Sequence, residues 1–232
     1  MPFQQLFNSE IIKHLFLLYL FLSSIDIGYK RSRGSSETED EELNVLKVIV
    51  SQWYDSHVCL SMLKVLFSDM MDFLKLSDTT NTMELLNTLY AQGQLNLGLI
   101  CDTIAVTKQF GLQREIKKRL PSFPEVQEGS ISKAFTSHRQ KLMKFGMQLT
   151  INNVRQLDAL YNVPAKRYTD SWSMISDLEN REIISERYME PFIDSLKFSL
   201  NLTEACEVLT EDIGYKHSRG SSETKGFNRQ FE

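Results

Sequence analysis

The sequence predicts an all-α protein built as two helical bundles in tandem, and three observations carry that reading. Apolar residues recur every three or four positions through residues 41–211, the signature of one buried helix face after another. No segment of useful length alternates apolar and polar with period two, as a half-buried strand would. Glycine and proline number 10 and 5 in 232 residues, too few for the turns of a β sandwich.

In the first half, Leu43, Leu46, Val50 and Trp53 make one stripe, which ends near Asp55 and Ser56. Cys59, Leu63, Leu66, Phe67 and Met70 make the next. Asn81, followed three residues later by Glu84, predicts a capping box that starts a helix carrying Leu86, Leu89 and Tyr90. Leu97, Ile100, Cys101 and Ile104 form a further stripe, and Leu112, Ile116 and Leu120 the last, with Gly93 and Gly111 as punctuation. Pro121 and Pro124 then interrupt the helical pattern, which places a domain boundary there.

The second half repeats the plan. Ile131, Phe135, His138, Leu142, Phe145 and Leu149 read as one long helix face, and Val154, Leu157, Leu160 and Tyr161 as a second. Pro164 breaks the chain, and Asp170 is placed to cap a helix with Met174, Ile175 and Leu178. Met189, Phe192, Ile193 and Leu196 follow, then Leu202, Cys206 and Leu209. The expected organisation is an apolar N-terminal segment and linker over 1–40, a first bundle over 41–124, a second over 125–211, and a tail over 212–232.

Composition narrows the function. Hydrophobic residues make up 42% and charged residues 24% of the chain, with a net charge of −4. That balance offers no basic footprint for nucleic acid. Three cysteines, Cys59, Cys101 and Cys206, stand far apart on apolar stripes, so they predict buried thiols rather than a disulfide framework, a zinc module or a nucleophile. His57 beside Cys59 has nothing to complete a metal set. Neither a phosphate loop, a dinucleotide loop, a nucleophile elbow nor a Gln-Ala-Cys motif occurs. The basic end Lys117, Lys118 and Arg119 suits a helix C-terminus without a ligand. No enzyme activity, cofactor or metal is expected, and the reducing interior of the cytoplasm is the expected location.

Two features lie at the edges. Residues 11–22 hold ten apolar residues among twelve, shorter than the roughly 20 needed to span a bilayer. They read as a helix that docks on the protein or a partner, or as a signal or anchor, and are the one candidate for membrane contact. The stretches 26–38 and 212–224 agree at twelve of thirteen positions, with Arg31 against His217. Rich in Gly, Ser and charge, they read as linkers bracketing the folded part, with the serines after Arg31 and Arg33 as candidate kinase sites that the sequence leaves open.

The run Leu63-Lys64-Val65-Leu66, followed by a short helix and a capped one, resembles the helix-two motif of death effector domains. The stretch from Asn96 to Leu112 resembles that family's fifth helix running into its sixth. In the second half, Leu157-Asp158-Ala159-Leu160 takes the helix-two place, and Met189 to Leu200 that of helix five and its junction. Two such domains in series resemble the prodomains of initiator caspases and the caspase-like inhibitors that lack a protease. The resemblance implies two six-helix death folds in tandem. It also implies an adaptor or inhibitor in apoptotic or innate immune signalling. Its partners would be other death effector domain proteins, with possible self-association. Candidate contacts are Lys64 and Val65 on helix two and Gln109, Phe110 and Gly111 at the first junction, with Asp158, Lys197 and Ser199 in the second domain. The family's Arg-x-Asp-Leu charge motif is absent: the junctions read Gln109-Phe110-Gly111-Leu112 and Lys197-Phe198-Ser199-Leu200. Apolar contact, with Val65 as its centre, is therefore expected to drive association. The alternative is a helical membrane-associated or enzymatic protein.

Overall fold

The computed structural model describes residues 36–57 and 60–211. The apolar run 11–22, Cys59 and nearly all of the repeated stretches 26–38 and 212–224 lie outside the described residues. Among the described residues there are eleven α-helices and no strand. The protein is all-α. Among the described residues no helix is long and apolar enough to cross a membrane.

The chain divides into two units, Met1–Asn44 and Val45–Glu232. Helix α1, Ser36–Ser56, starts ahead of the expected edge of the folded part. Within the second unit follow α2 (Leu60–Leu66), α3 (Phe73–Asp78), α4 (Thr82–Ala91), α5 (Leu97–Thr107) and α6 (Phe110–Arg119). After a non-helical stretch come α7 (Ser137–Gln148), α8 (Ile151–Tyr161), α9 (Ser171–Asn180), α10 (Glu190–Leu200) and α11 (Thr203–Thr210).

The helix starts are written in side chains. Asn81 Oδ1 accepts from Glu84 N at 2.9 Å, while the Glu84 carboxylate reaches back one residue further, to Thr80 N at 2.8 Å and Thr80 Oγ1 at 3.0 Å. Asp170 accepts from Ser173 N at 2.8 Å. A complete capping box forms at Thr150 and Asn153, where sequence inspection had not placed one. The stripe through Ile131 and Phe135 is not one helix. Thr136 caps α7 and ends the run, leaving Ile131 half exposed and Phe135 buried ahead of the helix.

The same geometry occurs in both halves. After α4, Gln92 N, Gly93 N, Gln94 N and Leu95 N bond to the carbonyls of Thr88, Tyr90, Leu89 and Leu89. After α9, Arg181, Glu182, Ile183 and Ile184 repeat that set onto Asp177, Glu179, Leu178 and Leu178. Gly93 and Glu182, at the same place in each corner, take left-handed φ values of 69° and 58°. The matching buried pairs are Leu85 and Met174, Leu86 and Ile175, Leu89 and Leu178, Leu95 and Ile184. One capped helix and the corner after it thus occur twice, as α4 and as α9.

The halves pack on each other. Helix α2 lies against α7 and α9, and α5 also touches α7. The stretch between α6 and α7 is tied down. Gln113 donates to Glu125 at 2.5 Å and accepts from Val126 N at 3.3 Å, with Phe123 and Val126 buried. Asp102 on α5 accepts from Ser132 Oγ, Lys133 N and Ala134 N at 2.8–3.0 Å. Phe67 meets Phe135 edge-on, 5.4 Å between ring centres.

Candidate functional site

A concavity lined by both polar and apolar side chains lies where α2 and α3 face α7 and α9. At its back stands Arg139, in the first turn of α7, positioned by Thr136, whose hydroxyl accepts from Arg139 N at 3.2 Å. Arg139 Nη2 lies 2.7 Å from Asp69 in the turn after α2, and Nη1 lies 2.7 Å from Glu179 on α9. Nη1 also donates to the Val65 carbonyl at 3.3 Å. His138 Nε2 is 3.4 Å from the other Glu179 oxygen, and the Thr136 hydroxyl donates to Asp69 at 3.1 Å. One guanidinium thus joins three elements across the two halves.

The electrostatics follow from the burial. Burial works against ionising Asp69, but the hydrogen bond and charge of Arg139 outweigh it and hold the carboxyl below its ordinary range. Arg139 is desolvated too, and the two carboxylates more than offset that, raising its pKa. Its Nε is buried without a hydrogen-bond partner in the structure.

In front of this wall opens a cleft of about 950 Å³. Val65, Phe73, Leu76, Trp172 and Ile184 supply apolar surface, and Lys64, Asp177 and Glu186 charge. Trp172 is seated against Gly146, where a Cβ would come within 2.2 Å of its ring. Lys64 donates to the Ser77 carbonyl at 3.0 Å, and burial lowers its pKa against the pull of Asp78 and Glu84.

The contact residues expected from sequence are scattered. Lys64 and Val65 reach the cleft, but Val65 is only 1% exposed. It is core, because α2 turns that face onto α7 and α9, so Val65 is not the exposed apolar contact expected of it. Gln109 accepts from Trp53 Nε1 at 3.0 Å, and Gly111 lies under the same indole, where a Cβ would fall 2.6 Å from the ring. Both are occupied in holding α1 to the α5–α6 corner, and Phe110 beside them is half-buried. Asp158 is buried and accepts from Asn162 Nδ2, Lys166 N and Arg167 N at 2.7–2.9 Å. Burial raises its pKa, those donors lower it more, and the carboxyl ends below its usual value. It braces the loop after α8 and offers no free surface. Lys197 and Ser199 are exposed.

Sequence inspection missed three features. The Asp69–Arg139–Glu179 cluster had no signal, since its members are far apart in the chain. Phe198, 85% exposed between Lys197 and Ser199, stands opposite the apolar stripe of α10, and its helical spacing from Phe192, Ile193 and Leu196 is the signal that marks it. The Tyr168 hydroxyl donates to Asp177 at 2.5 Å, and burial together with that carboxylate pushes its pKa up to about 12. Cys101 is half-buried and Cys206 buried, and burial raises both thiols. Among the described residues no three His, Cys, Asp or Glu side chains gather as a metal site.

No protein-family model and no curated protein sequence matches this chain. The geometry of the chain itself is what bears on function.

Proposed function

We propose that the protein is a non-enzymatic adaptor or inhibitor that acts in the cytoplasm by homotypic association with death effector domains, in apoptotic or innate immune signalling. One observation carries the reading: the capped helix and the backbone hydrogen-bond pattern of the corner after it recur in the two halves. A doubled small helical module is what two such domains in series would require. The helix order supports it in the first half, where a short α3 and a capped α4 follow the Lys64 motif. The second half has no helix between α8 and α9, so its third helix is replaced by the loop that Asp158 braces.

The cleft adds chemistry of the right kind, since small patches with an aromatic anchor and complementary charge give such modules register and affinity. The test mixes the purified full chain with the tandem prodomain of an initiator caspase and with a single death effector domain adaptor. A stable complex by gel filtration with either is expected. Reconstituted caspase processing then rises for an adaptor and falls for an inhibitor. Absence of any complex, with processing unchanged, overturns the reading.

A further inference from the structure

We propose that a second copy of this chain inserts Phe198 into the cleft between α2, α3, α7 and α9, with its Lys197 against Glu186 at the rim. The proposal rests on the interaction-module reading above and names one surface pair for it.

The plug is defined by α10. Phe192, Ile193 and Leu196 face inward, and Phe198 lies on the opposite side of the helix. Phe198 is 85% exposed, and an aromatic ring contributes large contact energy where a partner buries it. Phe198 is not among the residues lining its own cleft, and it is held away from it by the inward face of α10. A Phe198 that enters this cleft therefore belongs to another copy of the chain.

The socket matches in shape and charge. Phe73, 58% exposed, and Leu76 form one apolar wall, with Trp172 and Ile184 opposite, and the space between them takes a phenyl ring with room for its flanking residues. The carboxylates at the back are already committed: Asp69 and Glu179 to Arg139, Asp177 to Lys166 and Tyr168. Glu186 at the mouth forms no ion pair among the described residues, and Lys197 forms none either. Lys64, the cleft's other charge without an ion pair, is turned onto the Ser77 carbonyl, so a plug with a cation beside its aromatic ring meets Glu186 as the unpaired carboxylate of the socket. Plug and socket are different surfaces, so the contact is heterologous and adds further copies in an open chain.

Two exposed substitutions test this with the full chain. Phe198→Ser removes the plug, and Glu186→Lys sets a cation against the incoming Lys197. Each is expected to weaken self-association by about tenfold or more by light scattering, as loss of a central anchor does, with helical content unchanged by circular dichroism. Mixing the two variants leaves one intact plug and one intact socket, so a one-to-one dimer is expected that grows no further. Wild-type protein that stays monomeric at its highest soluble concentration overturns the proposal. So does a Phe198→Ser variant that associates like wild type, or a mixture that gives no dimer. Binding of the Phe198→Ser variant to a caspase prodomain is read separately, and its loss or retention reports on the proposed function alone.

Discussion

At Arg139 three parts of the chain meet: α2 through the Val65 carbonyl, the following turn through Asp69, and α9 through Glu179. Removing a buried cation from between two carboxylates leaves uncompensated charge, so Arg139→Met is expected to cost about 3–5 kcal/mol in a urea titration. Adding Asp69→Asn and Glu179→Gln to that variant should recover part of the loss, because the charges left behind are then gone. Glycines set a second group of contacts. At Gly146 a Cβ would meet the Trp172 ring at 2.2 Å, and at Gly111 the Trp53 ring at 2.6 Å. Gly146→Ala and Gly111→Ala should each destabilise by about 1–3 kcal/mol through overpacking. Tryptophan fluorescence should shift in both, and in Gly146→Ala the displaced indole is one that lines the cleft.

The helices α4 and α9 and the corners after them make a matched experiment within one molecule. Both corners need a left-handed residue, and the chain uses glycine in one and glutamate in the other. A side chain at positive φ costs roughly 1–2 kcal/mol, and glycine's extra freedom in the unfolded chain gives back about half of that. Glu182→Gly should therefore stabilise by about 0.5–1 kcal/mol. Gly93→Ala, where nothing lies within 4 Å of the new Cβ, should destabilise by about 1 kcal/mol for backbone reasons alone. Opposite shifts in denaturation midpoint check the pair. Most of these elements were legible in the sequence, because Asn81, Asp170 and the buried leucines act locally. The α7 boundary was not, since Ile131 and Phe135 keep helical spacing while the Thr136 cap ends the run.

Across the whole molecule, depressed carboxylates set the response to acid. Burial opposes ionisation of Asp69, Asp158 and Asp177, yet Arg139, the backbone donors of the α8 loop, and Lys166 with Tyr168 hold all three below their ordinary values. A carboxyl lowered in the folded state binds its proton more weakly than in the unfolded chain. Its contribution is complete above the unfolded pKa of about 4 and is lost as pH falls through the lower folded value. Thermal melts should give a flat midpoint from about pH 5 to pH 7 and a steep fall below about pH 4. Asp69→Asn should lower the plateau and flatten the fall.

The sequence by itself determined the helical class, the positions of most helices and the caps at Asn81 and Asp170. Each of these follows from residues within a few positions of one another: apolar spacing, an Asn or Asp before a first turn, a glycine after a last one. Only the tertiary structure decided which faces are free. Lys64, Val65, Gln109, Gly111 and Asp158 all carried plausible surface chemistry, and packing then buried Val65 between helices, put Gly111 under Trp53 and surrounded Asp158 with amide donors. The cleft, its Arg139 wall and the exposed Phe198 arise where α2 and α3 meet α7 and α9 and where α10 turns one ring outward. A helical stripe states how much apolar surface a segment has to cover. Which neighbour covers it, and what remains outside, depends on contacts between residues dozens of positions apart, and local spacing carries no record of those.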